Sequence, residues 1–174
     1  MKYTGLELSI DPRILDSRAI MLCGISGSGK TTLARILERK GFFRLSADLL
    51  IWELYGEDFP RFPSDEKKRI FGTIDAVIAE RLAELLRQGR KIVVDSTMCK
   101  RFKRDGLREV CRRSGITPRL IFLDAPLEVL NRRVASRSGD GPDSQAVTED
   151  QLRTFFRNFE RPAEDEECLV IPQR

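Results

Sequence analysis

Gly24-Ile25-Ser26-Gly27-Ser28-Gly29-Lys30-Thr31 is the stretch of this 174-residue chain that decides its fold. The residues before it, 18–23, have the pattern of a short buried strand, and residues 30–40 after it have the pattern of a helix with one apolar face. The sequence therefore predicts a strand, a glycine-rich loop and a helix in direct succession.

The spacing Gly-x-x-x-x-Gly-Lys-Thr in this stretch is typical of loops that bind nucleotide phosphates, and we call Gly24–Thr31 the phosphate loop. Its glycines permit a close backbone approach, so that loop amides and the positive end of the next helix converge on anionic oxygens. In such loops the lysine, here Lys30, bridges the β- and γ-phosphates, and the hydroxyl of Thr31 is a ligand of Mg²⁺. The sequence predicts a site for ATP and Mg²⁺ formed by Gly24, Ser26, Gly27, Ser28, Gly29, Lys30, Thr31 and Thr32. A turn that merely joins strand to helix is the structural alternative.

The composition is that of one globular domain with a sizeable core. Hydrophobic residues make up 41% of the chain and charged residues 33%, and no apolar run reaches the roughly 18 residues of a membrane span. Because no signal peptide follows Met1, we expect a single cytoplasmic domain over residues 1–174 with no membrane partner. The four cysteines, Cys23, Cys99, Cys111 and Cys168, lack metal-ligand spacing, and three of them are expected to be buried thiols.

Strand and helix patterns alternate along the rest of the chain. Strands are predicted at residues 18–23, 42–46, 91–95, 119–124 and 168–171. Helices are predicted at residues 30–40, 47–55, 64–88, 100–114, 126–137 and 149–159, with Ser64 and a Thr148–Gln151 capping box at two of their starts. Residues 56–63, with two prolines, are predicted to form a loop. Helices between short apolar strands are typical of a parallel sheet covered on both faces.

Carboxylates are the only candidate proton acceptors, since the chain contains no histidine. Asp48, Asp95 and Asp124 each follow an apolar strand, where ligands of open α/β sheets bind. One aspartate in such a protein usually helps to hold Mg²⁺ beside the loop hydroxyl, and by pattern alone Asp124 is a candidate for that role. Helix capping is the structural alternative for all three.

Four segments together resemble the compact P-loop kinases related to phage polynucleotide kinase, with chloramphenicol phosphotransferases and zeta-type toxins as similar relatives. These segments are Gly24–Thr31, Leu45–Asp48, Ile92–Thr97 and Leu123–Arg137, and the resemblance extends from Ala19 to Ile171. It implies an α/β P-loop NTPase fold: a five-stranded parallel sheet in the order 2-3-1-4-5, helices on both faces and an arginine-bearing lid at about residues 133–148.

The resemblance also implies roles for individual residues. Asp48 takes the proton from the acceptor hydroxyl, Asp95 closes the strand beside the phosphate loop and is assigned to Mg²⁺, and Arg133 and Arg137 come from the lid. Both arginines fall one turn apart on the predicted helix, so their guanidinium groups could stabilise the charge of a moving phosphoryl group together. A solvated basic helix is the alternative for these arginines.

The predicted function is an ATP-dependent kinase that phosphorylates a hydroxyl of a small-molecule or nucleoside-like acceptor. A polynucleotide 5′-hydroxyl kinase and an NTP-hydrolysing switch are the alternatives. A basic stripe of Arg101, Arg104, Arg108 and Arg112 could track a nucleic-acid backbone, although the net charge is only +4 and a solvated face is favoured. An acceptor wall is predicted at residues 49–71, with core packing as the alternative for its aromatic residues, Trp52, Tyr55, Phe59 and Phe62.

Overall fold

A parallel five-stranded sheet forms the centre of the protein in a computed structural model that describes residues 12–136, 142 and 147–174. Its strands are β1 (Ala19–Cys23), β2 (Phe43–Ser46), β3 (Ile92–Asp95), β4 (Arg119–Asp124) and β5 (Cys168–Pro172). They lie in the order β2-β3-β1-β4-β5, and all adjacent pairs are parallel. The predicted fold class is confirmed.

Helices join these strands close to the predicted positions. They are α1 (Pro12–Leu15), α2 (Lys30–Arg39), α3 (Ala47–Tyr55), α4 (Ser64–Arg87), α5 (Arg101–Arg113), α6 (Leu127–Ala135) and α7 (Glu149–Asn158). Short 3₁₀ helices lie at Gly56–Arg61, where a loop was predicted, and at Glu164–Glu166. No helix in the described part of the chain is long and apolar enough to cross a membrane.

The starts of two helices test the predicted caps. Thr148 and Gln151 form both bonds of the capping box, as predicted. Ser64 is not the N-cap of α4: Pro63 holds that position, and its carbonyl accepts the first helical bond from the amide of Lys67 at 3.0 Å. Ser64 is therefore the first residue inside the helix, one position after the N-cap, and its side chain does not have the capping role.

Both faces of the sheet are buried, and β1 shows how. Side chains alternate along a strand, so Met21 and Cys23 face a core formed with α4 and α5, whereas Ile20 and Leu22 face a core formed with α2. Every residue of β1 is buried as a result. The helices cover the two faces of the sheet but not the carboxyl ends of its strands, and the phosphate loop begins at that end of β1.

The cysteines are free thiols that follow the burial of their elements. Cys23 and Cys111 are buried, whereas Cys99 and Cys168 are half-buried, so two thiols rather than the expected three lie fully inside. Cys168 differs because β5 is an edge strand with less cover. Burial raises the pKa of the Cys23 thiol to about 12, which keeps it protonated and unreactive.

Arg104 of α5 is fully buried, which contradicts its place on an exposed basic stripe. Its Nε and Nη2 atoms donate to the two carboxylate oxygens of Glu166, each at 2.7 Å. Its Nη1 atom donates to the backbone oxygens of Met98, at 3.0 Å, and Glu160, at 2.9 Å. One guanidinium thus joins the segment after β3 to the segment before β5.

The other arginines of the stripe are engaged by carboxylates. Arg101 forms a two-bond pair with Asp165, at 3.0 and 2.6 Å, and Arg112 pairs with Glu109 of its own helix at 2.7 Å. Arg108 pairs with Asp105 at 2.8 Å and with Glu166 at 2.9 Å. The stripe is therefore mostly neutralised by acidic side chains, two of which, Asp165 and Glu166, are about 60 residues away in sequence.

Glu166→Gln is expected to lower the free energy of unfolding by about 3–5 kcal/mol, because it leaves the buried Arg104 cation without its counter-charge. Urea unfolding followed by circular dichroism measures this loss. Glu109→Gln is the matched control, since Glu109 pairs with Arg112 and Arg113 at the surface, and it should change little. Equal effects of the two substitutions would contradict the structural role of the buried pair.

The same pair predicts an acid-dependent loss of stability. Burial by itself raises the pKa of Glu166, but hydrogen bonds from Arg104, the Ala163 amide and Arg108 outweigh it and lower the pKa to about 2. An unfolded glutamate has a pKa of about 4.3, so the contribution is complete above that pH and is lost as pH falls towards 2. The stability difference between the wild type and Glu166→Gln should therefore shrink below about pH 4.

Candidate functional site

The phosphate loop begins at Gly24, where no side chain fits. Gly24 has φ +151°, and a Cβ atom there would lie 2.6 Å from Ser28 Oγ and 3.0 Å from the Leu123 carbonyl oxygen. The Gly24 amide donates to the carbonyl of Thr97 at 3.3 Å, which ties the loop to the segment after β3. The packing explains the glycine at the first position of the motif.

The end of the loop has the features of an anion site. Gly29, in a left-handed conformation with φ 100°, is the N-cap of α2 and makes no side-chain capping bond, and no acidic residue lies in the first turn. The first-turn amides and the positive helix end are therefore open to an anionic group. The buried Ser28 Oγ has no hydrogen-bond partner in the described structure. These residues fit a phosphate group.

Lys30 lies across the phosphate loop. Its Nζ atom donates to the carbonyl of Ile25 at 3.0 Å, and the residue is only 8% exposed. The ammonium group is thus already held inside the loop, where a phosphate chain would meet it.

A cavity of about 600 Å³ opens beside the loop, a volume typical of ligand sites. Of the eight residues predicted to bind the nucleotide, Gly24, Ser28 and Thr32 do not line this cavity. Those that do are Ser26, Gly27, Gly29, Lys30 and Thr31. Asp48 and Asp95 line the same cavity, so the structure brings both predicted carboxylates to the loop.

Asp95, the last residue of β3, is paired with Arg44 of β2. Arg44 Nε and Nη2 donate to the same oxygen of Asp95, Oδ2, at 3.0 and 2.7 Å, and both side chains are 4% exposed. Asp95 does not cap a helix, because α5 begins six residues later with Lys100 as its N-cap. Sequence reasoning missed Arg44, although a charged residue within an apolar strand was a signal that a buried partner exists.

Asp48 lies in the first turn of α3 and is half-buried. The capping interpretation of Asp48 is wrong, because Ser46 is the N-cap and its Oγ accepts from the Leu49 amide at 3.3 Å. Asp48 lines the cavity at the positive end of α3, which favours its negative charge.

Asp124 is engaged away from the cavity. Arg161 Nη1 and Nη2 donate to its Oδ1 and Oδ2 at 2.9 and 2.6 Å, and Asp124 does not line the cavity that contains Thr31. Its capping interpretation is also wrong, because the N-cap of α6 is Pro126, which makes no side-chain bond. Asp124 instead anchors the segment before β5 to the end of β4.

Arg133 of α6 lies against the phosphate loop, outside the cavity lining. Its Nη1 atom donates to the Gly27 carbonyl at 3.3 Å and to Gln173 Oε1 at 3.2 Å, and Nη2 donates to the Arg174 carbonyl at 3.2 Å. The helix ends at Ala135, two residues earlier than predicted. Arg137 and most of the predicted lid lie outside the described residues.

The predicted acceptor wall is wrong for its four aromatic residues. Tyr55, Phe59 and Phe62 pack on one another with ring centroids 6.0–6.5 Å apart, and neither they nor Trp52 line the cavity. The core-packing alternative explains the three that form this cluster. Within residues 49–71, those that reach the cavity are Ile51, Lys68 and Phe71, and further aromatic lining comes from Phe102, Phe155 and Phe159 of the segments around α5 and α7.

Comparison with known proteins identifies a family that matches most of the chain. The family described as "AAA domain" matches residues 20–162, from β1 to beyond α7. The chain belongs to this family. The matched range of this AAA domain includes the phosphate loop, Asp48 and Asp95. No protein of curated function matches the chain at a significant level.

Three solved structures share the fold of this AAA domain. A gluconokinase from Sinorhizobium meliloti 1021 has a TM-score of 0.66 and 25% identity, over 88% of this chain and 81% of that chain. A sugar kinase from Janibacter sp. HTCC2649 has a TM-score of 0.65 and 21% identity, over 90% and 85%. A chain of the Pnkp1/Rnl/Hen1 RNA repair complex has a TM-score of 0.64 and 18% identity, over 82% of this chain but 43% of that chain. The AAA domain therefore has a kinase-like P-loop fold.

Proposed function

We propose that this AAA domain is a kinase that transfers the γ-phosphoryl group of ATP to a hydroxyl of a small-molecule or nucleoside-like acceptor. The observation that carries the proposal is the shared cavity, which joins Lys30 and Thr31 of the phosphate loop to the carboxylate of Asp48. Its volume of about 600 Å³ leaves room for an acceptor beside the phosphate chain. The similarity to a gluconokinase at 25% identity supports phosphoryl transfer.

Lys30, Thr31 and Asp95 are assigned to the phosphates and to Mg²⁺. Mg²⁺ is usually held by one or two protein oxygens, with water and phosphate oxygens completing its shell, and it offsets charge on the β- and γ-phosphates. The Thr31 hydroxyl and the Asp95 carboxylate line the same cavity, so the donor types fit this ion. Arg44 restrains the Asp95 carboxylate through Oδ2.

Asp48 is assigned as the general base. In this step the acceptor oxygen forms a bond to the γ-phosphorus, its proton passes to the Asp48 carboxylate, and the bond to the β-phosphate oxygen breaks to leave ADP. The position of Asp48 on the cavity wall, with Ser46 performing the capping role, supports this assignment. Arg133 holds the loop and is further assigned, with Arg137, to the charge of the moving phosphoryl group.

A transfer screen with radiolabelled ATP tests the proposal. Nucleosides, phenicol-like and aminoglycoside-like alcohols, sugar acids and a 5′-hydroxyl oligonucleotide are the acceptors. Label should pass to at least one small acceptor and should require Lys30. Release of inorganic phosphate with no labelled acceptor would favour the switch, and labelling of the oligonucleotide alone would favour a polynucleotide kinase.

Salt dependence is expected to separate small acceptors from nucleic acid. Because the stripe arginines are already engaged by carboxylates, oligonucleotide binding should be weak, and Arg112→Ala should leave the acceptor KM nearly unchanged. A polynucleotide acceptor would instead bind tightly at low salt, and the same substitution would lower the log–log salt slope by about one. Fluorescence anisotropy from low to physiological salt measures the slope.

A further inference from the structure

Three phenylalanines line the cavity from three different helices, and we call these three side chains the wall. Phe71 of α4 is 40% exposed, Phe102 of α5 is 69% exposed and Phe155 of α7 is 48% exposed. Large apolar side chains that are exposed singly need no explanation, but several around one concave site mark a binding surface.

The core covers Phe71, Phe102 and Phe155 only in part. Phe159, which also lines the cavity, stacks on Phe122 with ring centroids 5.5 Å apart and is committed to packing. Phe71 meets the buried Phe59 edge-on at 5.6 Å, which orients its ring without covering it. The wall therefore has one ring fixed from behind and two more exposed rings on neighbouring helices.

Two of the lysines that line the cavity near these rings are paired with carboxylates. Lys103 contacts Asp75 at 2.6 Å, and Lys100 contacts Glu160 at 2.9 Å. A sugar-like polyol could cover this wall only with its C–H faces, because its hydroxyls keep their hydrogen bonds by pointing away from hydrocarbon. A flat ring would instead gain from covering exposed apolar surface and from ring–ring contact.

We propose that the acceptor carries a flat aromatic or heteroaromatic ring that binds against Phe71, Phe102 and Phe155, with its hydroxyl directed to Asp48. This inference rests on the proposed kinase function and narrows its acceptor from alcohols in general to ring-bearing alcohols. It separates this AAA domain from the sugar kinases that share its fold, because a polyol without an aromatic ring would cover little of the wall.

Matched pairs of alcohols that differ by the ring test the inference. Thymidine is compared with methyl 2-deoxyribofuranoside, and 3-phenyl-1,2-propanediol with glycerol. Dissociation constants are measured by calorimetry with a non-hydrolysable ATP analogue and Mg²⁺ present, and kcat/KM with ATP. The member with the aromatic or heteroaromatic ring should bind and react about 10- to 100-fold better, as stacking of one base contributes. Equal values within both pairs would overturn it.

Variants of the wall identify the surface that holds the ring. Phe102→Ala and Phe155→Ala should each weaken the ring-bearing alcohol about 5- to 20-fold while leaving its ring-free partner and the ATP KM unchanged. Phe102→Trp should retain the preference. Phe43→Ala is the control, because Phe43 is 38% exposed on the edge strand β2 and does not line the cavity. An equal effect of Phe43→Ala would show that the wall does not hold the ring.

The binding and transfer measurements fail in different ways. Ring-selective binding with no labelled product from any acceptor would contradict phosphoryl transfer and leave the ring site intact. Transfer with no ring preference in binding would contradict the ring site and leave the kinase intact.

Discussion

Lys30→Ala is expected to lower the turnover of ATP-dependent transfer by at least about 10²–10³-fold while the chain stays folded. Its ammonium group lies inside the phosphate loop, with Nζ 3.0 Å from the Ile25 carbonyl, so its removal takes away positive charge where the phosphate chain is expected. Loss of this charged hydrogen bond should cost only about 1.5–3 kcal/mol of stability. Steady-state kinetics and circular dichroism measure the two effects.

Lys40→Ala is the matched control for Lys30→Ala. Lys40 is an exposed lysine at the opposite end of α2, where it is the C-cap, and its substitution should leave turnover unchanged. Thr31→Ala should also reduce turnover and should raise the Mg²⁺ concentration required. Near-wild-type turnover in a correctly folded Lys30→Ala protein would contradict the assignment of the phosphate loop to ATP.

Asp48→Asn is expected to lower turnover by roughly 10²–10⁴-fold and to leave the affinity for Mg²⁺ and ATP unchanged. The amide has nearly the shape of the carboxylate but cannot accept the proton of the acceptor hydroxyl. Because Ser46 caps α3, the substitution removes no helix cap and should cost little stability. Titration with a fluorescent ATP analogue and a single-turnover assay separate binding from transfer.

Asp95→Asn is the contrasting variant. Its loss should weaken the Mg²⁺ dependence of nucleotide binding, and it should also destabilise the fold because Arg44 would remain buried beside a neutral amide. Urea unfolding of both variants distinguishes these effects. A selective loss of nucleotide binding in Asp48→Asn, with Asp95→Asn binding normally, would reverse the two roles.

Features that depend on neighbouring residues could be predicted from the sequence. The phosphate loop, the parallel strands and the Thr148 capping box follow from spacing and periodicity over a few residues, and the structure has each of them close to the expected place. Errors at this level were small, such as the cap of α4, where a proline carbonyl rather than Ser64 begins the helix. The strand order came from family resemblance, since periodicity does not order strands.

The partners of the charged side chains could not be predicted in this way. Arg44 and Asp95 are 51 residues apart, Arg104 and Glu166 are 62 apart, and Arg161 and Asp124 are 37 apart. A guanidinium can pair with any carboxylate that the fold brings within reach, and the sequence shows the charge but not the partner. For that reason the arginine stripe of α5 looked like an exposed surface, although Arg104 is buried.

The aromatic lining of the cavity could likewise be predicted only in part from the sequence. Local spacing marks Phe102 and Phe155 as residues of amphipathic helices, but not that α5 and α7 turn them towards the cavity beside Phe71 of α4. The sequence by itself determined the phosphate loop, the order of elements along the chain and the carboxylates available for chemistry, because each depends on local residue types and spacing. Only the tertiary structure decided which carboxylates face the loop, which arginines are neutralised and which rings form the wall, because these depend on contacts between distant parts of the chain.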